Sequence, residues 1–187
     1  MNISFTSESI GLQKELNSLD SFTLDFIAAL DKLSLRYVIV SGYVAILFGR
    51  SRASEDIDII LEKMDRQKFH TLWNSLKDGF ECIITSSEDE AYTNYLQSGL
   101  ALRFARKGSF IPNIEVKFPK DSLAHLSLQV RKKVLDADNH ICVERSTVFR
   151  LPLTYSGEEQ DRLSPNTRVL SAEDIQKLCH SFCMISF

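Results

Sequence analysis

Asp56-Ile57-Asp58-Ile59-Ile60-Leu61 puts two carboxylates two residues apart in an otherwise apolar run. As a strand it sets both acids on one face, with Cα atoms roughly 6.6 Å apart, and turns Ile57 and Ile59 to the other, into the core. Two like charges side by side on an apolar strand are costly, and a bound divalent cation removes that cost. A surface strand with polar-out alternation fits less well, because Ile60 and Leu61 continue the apolar run. The residues before it sharpen the expectation. Tyr37-Val38-Ile39-Val40 is a β-branched run that predicts a buried strand. Ser41-Gly42 breaks it, Tyr43 to Phe48 reads as a short buried helix ended by Gly49, and Arg50 to Glu55 reads as a polar loop.

Size and charge bound what can surround this unit. A chain of 187 residues, 44% of them apolar, can bury one core. A net charge of -3 gives no global reason to bind nucleic acid, although a local basic patch is compatible with it. The N-terminus has no basic-led apolar leader and the chain has no run of 18 apolar residues, so neither secretion nor membrane spanning is predicted. Cys82, Cys142, Cys179 and Cys183 lack the two close pairs of a zinc site. They are consistent with free thiols in a reducing cytoplasm.

Along the rest of the chain, Asn2 to Thr6 predicts a short edge strand. Residues 20–33 predict a helix with Asp20 as N-cap and Phe22, Phe26, Ala29, Leu30 and Leu33 as its apolar stripe. Phe69, Leu72, Trp73 and Leu76 mark a second helix in 65–77, stopped at Lys77-Asp78-Gly79. Phe80 to Ile84 suggests a brief strand. Ser87 and Glu90 suggest a capping box, and Tyr92, Tyr95 and Leu96 a buried helical face rather than a base-stacking one. Leu100 to Arg106 alternates loosely, and Lys107-Gly108 is a turn. Asn113 to Phe118 is a strand with Glu115 and Lys117 on one face and Ile114, Val116 and Phe118 on the other, ended by Pro119. A helix is expected from Lys120-Asp121 to about Val134, using Leu123, Leu126, Leu128, Val130 and Val134, with no role for His125. Residues 140–143 and 147–151 suggest a hairpin, and Ser171 a cap for a final helix.

Strand, small-residue turn, short helix, polar loop, Asp-x-Asp strand and a later apolar-Glu-apolar strand resemble the nucleotidyltransferase superfamily built on the DNA polymerase beta-type fold. The matching pieces are Val40-Ser41-Gly42, Asp56-Ile57-Asp58 and Ile114-Glu115-Val116. Arg52 to Asp58 is most similar to the compact prokaryotic branch that includes AbiEii-type toxins. The resemblance implies an α+β fold, a mixed β-sheet flanked by helices. It implies a single domain over 1–187, with 121–187 as a small C-terminal annex. It implies strands 37–40, 56–61 and 113–118 as neighbours in one sheet. It further implies a cytoplasmic, metal-dependent enzyme that moves a nucleoside monophosphate from an NTP to a hydroxyl acceptor and releases pyrophosphate.

In that reading Asp56, Asp58 and Glu115 hold Mg²⁺ or Mn²⁺, with Glu115 also placed to take the nucleophile's proton. Ser41, Gly42, Arg50, Arg52 and Lys117 meet the phosphates. The acceptor is an RNA 3′ end, a protein side chain or a small molecule. An RNA end requires Arg50, Arg52, Arg103, Arg106 and Lys107 to converge. The chain has Ser-Gly where the family has Gly-Gly or Gly-Ser, Glu as third acid, and no long C-terminal helical domain. These departures keep an alternative open: an inactive, antitoxin-like interaction module on the same scaffold, or a site completed by a protein partner.

Overall fold

A computed structural model describes residues 2–5, 9–48, 55–136 and 139–143. In chain order the elements are β1 (Asn2–Phe5), β2 (Ser9–Gln13), α1 (Ser18–Lys32), β3 (Tyr37–Val40), α2 (Gly42–Leu47), β4 (Asp56–Leu61) and α3 (Arg66–Leu76). They continue with β5 (Phe80–Cys82), α4 (Glu88–Glu90) running into a π-helical turn (Ala91–Leu96), β6 (Leu102–Arg106), β7 (Asn113–Lys117), α5 (Ser122–Gln129), β8 (Lys132–Asp136) and β9 (Asn139–Val143). The fold is α+β. Among the described residues the strands form one mixed sheet in the order β1-β2-β8-β9-β3-β4-β7-β6-β5. No helix among them is long and apolar enough to cross a membrane.

The three strands that carry the motifs are neighbours. β3 runs antiparallel to β4 with Val40 opposite Asp58, and β4 runs parallel to β7 with Asp58 opposite Glu115. Alternation then sorts the two faces. Tyr37, Ile39, Ile57, Ile59, Leu61, Ile114, Val116 and Phe118 all enter the main core, where Ile57 and Ile59 are fully buried. Full burial of one such side chain stabilises by about 1.5–3 kcal/mol relative to exposure.

α1 and α3 cover that face because their apolar residues recur every three or four positions. Phe26 of α1 lies with its ring 5.2 Å from Phe80 and 5.6 Å from Phe104, and Trp73 of α3 lies 5.9 Å from Phe104. Tyr92 is buried there too, its hydroxyl donating to the Met64 carbonyl at 2.9 Å, which makes it a core residue and not a stacking platform. The opposite face has a smaller cover, in which Leu128 and Ala124 of α5 pack on Val38, Val40 and Ile60.

Several local expectations are corrected. The N-cap of α1 is Asn17, not Asp20. Asp20 sits three residues on as the other half of a capping box, its carboxylate accepting the Asn17 N–H while its own N–H donates to the Asn17 side chain. At Ser87 the box is closed indirectly: Ser87 N–H donates to the Thr85 hydroxyl, which donates to Glu90. The helix expected to reach Val134 stops at Gln129. Its buried side is Ser127 and Leu128, while Leu123 and Leu126 are exposed.

Val134 instead belongs to β8, which pairs parallel with β2, a strand that the sequence reading passes over. β9 pairs antiparallel with β8, and the second run of the expected hairpin, 147–151, lies outside the described residues. Of the segment expected as an annex, α5, β8 and β9 join this sheet or cover it, and 144–187 lie outside the described residues. Cys82 is a half-buried free thiol, and Cys179, Cys183 and the helix expected after Ser171 also lie outside the described residues.

Candidate functional site

The end of β3 sets the site. Glycine is the residue that takes a left-handed backbone at least cost, and Gly42 stands in this turn. The structure places the left-handed conformation one residue earlier, on Ser41 at φ 66° and ψ −139°, and makes Gly42 the first residue of α2. Few non-glycine residues tolerate that backbone region. The Ser41 hydroxyl does not cap α2; it acts on the Asp58 carboxylate of the adjacent strand, favouring its charged form.

A buried polar knot holds this corner in place. Asp20 is fully buried, and its carboxylate accepts from the Tyr43 hydroxyl at 2.9 Å, Lys14 Nζ at 2.7 Å and the Asn17 N–H at 3.0 Å. Burial, helped by the neighbouring Asp20 charge, drives the Tyr43 phenol pKa far above its usual value, so the ring hydroxyl stays a donor. The knot ties α2, and with it the Ser41 turn, to the start of α1.

On the less covered face, direct pairing gathers Asp56, Asp58, Asn113, Glu115, Lys117 and Arg103. Lys117 Nζ lies 3.8 Å from Asp58 Oδ1 and 4.0 Å from Glu115 Oε1, so one ammonium bridges the two carboxylates. Arg103 reaches the other Glu115 oxygen, Oε2, through both Nε and Nη2 at 3.2 Å. Asp56 accepts a 2.7 Å hydrogen bond from the Asn113 side chain at Oδ1. Burial is the main reason the Asp58 carboxyl is pushed above the usual carboxylate range. Glu115 and Asp56 add to the rise, against the pull of Lys117 and of the Ser41 hydroxyl. A raised pKa means that ionising Asp58 at neutral pH costs the folded protein stability.

Asp56, Asp58 and Glu115 are hard oxygen donors on one face of two paired strands, which is the donor chemistry that Mg²⁺ takes. Among the described residues, however, no group of three or more acidic, His or Cys side chains converges closely enough to hold an ion. Asp58 and Glu115 face each other across the β4–β7 pair, and Asp56 is turned to Asn113. Arg50 and Arg52 lie outside the described residues.

Arg103 and Arg106 do not converge. Arg103 is on the acid face, whereas Arg106 stacks over Phe80 at 4.6 Å on the core side and pairs with Asp25 of α1. Lys107 sits exposed in the turn before Gly108. Asn113 and Arg103 are the partners that the sequence reading does not assign to the acids. The signal for Asn113 is its phase, since 113, 115 and 117 share a face; Arg103 becomes a partner only once β6 and β7 are known to pair.

A cavity of about 380 Å³ opens beside this cluster. Val40, Ile60 and Phe118 make it apolar, Ser41 and Lys117 border it on the acid side, and Lys120 lies where the chain enters α5. No protein-family model matches the chain, and no curated protein matches it.

Proposed function

We propose that the protein is a metal-dependent nucleotidyltransferase that moves a nucleoside monophosphate from an NTP to a hydroxyl acceptor and releases pyrophosphate. The observation that carries the reading is the register: Asp58 directly opposite Glu115, with Asp56 on the same face and the Ser41-Gly42 turn against Asp58. Asp56, Asp58 and Glu115 would hold Mg²⁺ or Mn²⁺, which supplies charge neutralisation for the triphosphate. That role requires Asp56 to turn from Asn113. Glu115 is suited to take the acceptor hydroxyl's proton. Lys117 and Lys120, both lining the 380 Å³ cavity, can meet phosphate oxygens while its apolar wall takes the nucleoside. Arg50 and Arg52 keep their phosphate roles only on the family resemblance. An RNA 3′ end remains one acceptor, beside a protein side chain and a small molecule, but Arg103 and Arg106 cannot jointly hold it. A cytoplasmic setting and a toxin–antitoxin context belong to the same proposal.

Two observations favour the second reading, an inactive interaction module. The acids are already paired with Lys117 and Arg103, and a serine occupies a backbone position that suits glycine. The deciding experiment incubates the protein with each α-labelled triphosphate, Mg²⁺ or Mn²⁺, and the RNA and protein fractions of a host lysate. Label entering one fraction with wild type and not with Asp58→Ala supports transfer. No incorporation from a folded protein with demonstrated metal binding moves the reading to the module.

A further inference from the structure

We infer that Lys117 is a tethered counter-ion that competes with a divalent cation for Asp58 and Glu115. The inference rests on the metal-binding part of the reading above, and it deepens it by naming what a metal ion must displace. Asp56 is turned to Asn113; the other four charged groups of the acid face meet as two pairs of opposite sign, Asp58 and Glu115 against Lys117 and Arg103. Their charges cancel, so the pair is compensated before any ion arrives. The two cations are held differently. Arg103 grips one Glu115 oxygen through two nitrogens at 3.2 Å, a fixed planar contact. Lys117 stands at 3.8 and 4.0 Å, beyond hydrogen-bond length, on a flexible stem. The side chain also lines the 380 Å³ cavity, which gives the ammonium a place to turn into when a metal ion takes its position. Lys117 is therefore the displaceable partner and Arg103 the structural one.

The test reads binding of Mn²⁺ alone, by electron paramagnetic resonance or calorimetry, to the full chain. Lys117→Met should bind Mn²⁺ about ten-fold more tightly than wild type, the solvent-discounted effect of removing one charge about 4 Å away. Lys117→Arg, which keeps the charge, should stay near wild type. Adding Asp58→Asn to Lys117→Met should abolish the gain. Mn²⁺ affinity that is unchanged or weaker in Lys117→Met overturns the inference, as does a gain that survives Asp58→Asn. If circular dichroism shows Lys117→Met unfolded, Lys117→Gln is read by the same criteria. Nucleotide transfer is not the readout. A protein that follows this pattern and transfers nothing refutes the transferase reading and keeps the counter-ion; one that transfers with Mn²⁺ affinity unchanged in Lys117→Met does the reverse.

Discussion

Replacing Ser41 by glycine and, separately, by alanine separates backbone strain from the interaction of its hydroxyl with Asp58. A non-glycine residue at φ 66° and ψ −139° stores about 1–3 kcal/mol. Glycine releases that strain. It also loses the hydroxyl's interaction with Asp58, at most about 1 kcal/mol for an exposed side chain, and loosens the unfolded chain by about 0.4–1 kcal/mol. With strain near the middle of its range, Ser41→Gly should gain about 0.5 kcal/mol. Alanine keeps the strain and loses the hydroxyl's interaction, so Ser41→Ala should lose up to about 1 kcal/mol. The gap of about 1.5 kcal/mol is the quantity to measure, by urea unfolding with a common slope. In a chain of this size it corresponds to a Tm difference of about 3–6 °C. Equal stability of the two variants, or alanine above glycine, would refute the strain assigned to Ser41.

Tyr43→Phe removes one of the donors to the fully buried Asp20 and should cost about 1–3 kcal/mol in the same assay; a loss under about 0.5 kcal/mol would mean that Lys14 and Asn17 suffice. Glu62 gives a pH test. Burial opposes its charge, but the Arg36 N–H at 3.0 Å and the Arg36 side chain at 2.7 Å win and hold its pKa below the usual range. A depressed carboxylate contributes stability above its unfolded pKa of about 4.5 and loses it as the pH falls through the folded value. Glu62→Gln should therefore cost about 0.5–1 kcal/mol at pH 7, discounted because Arg36 is solvated, and nothing near pH 2. A cost independent of pH would assign the effect to packing.

The central strands were legible because their apolar runs are short, β-branched and bounded by breakers. β3 and β4 lie at the residues the pattern marks, and β7 falls one residue short of it. The phase of the acids followed from the same alternation. What the sequence hid is mostly long-range. Ser9 to Gln13 contains a glycine and two polar residues, and becomes a strand because Lys133, Val134 and Leu135 arrive beside it. Leu123, Leu126, Val130 and Val134 recur at helical spacing, which predicts a helix through to Val134, but the face that packs is the one carrying Ala124 and Leu128. Pairing with β2 on one side and β9 on the other makes 132–136 a strand. The knot at Asp20 was equally invisible, since an acid near a helix start looks like a cap until Tyr43 is seen above it. The positive φ at Ser41 has no local signal other than the glycine beside it, which points to the wrong residue.

The order of the sheet also bears on how the chain is made. β2 lies against β8, so residues 9–13 leave the ribosome with half of their pairing still to be synthesised. About 120 residues separate the two strands, which at ~5–20 residues per second is a wait on the order of ten seconds. Through that interval the β1–β2 hairpin presents an open edge carrying Ile10 and Leu12, side chains that are buried in the finished protein. An open edge with apolar residues is a template for pairing with another chain. Nascent chains stalled before residue 132 should therefore engage holdase chaperones, and chains released after residue 136 should let them go.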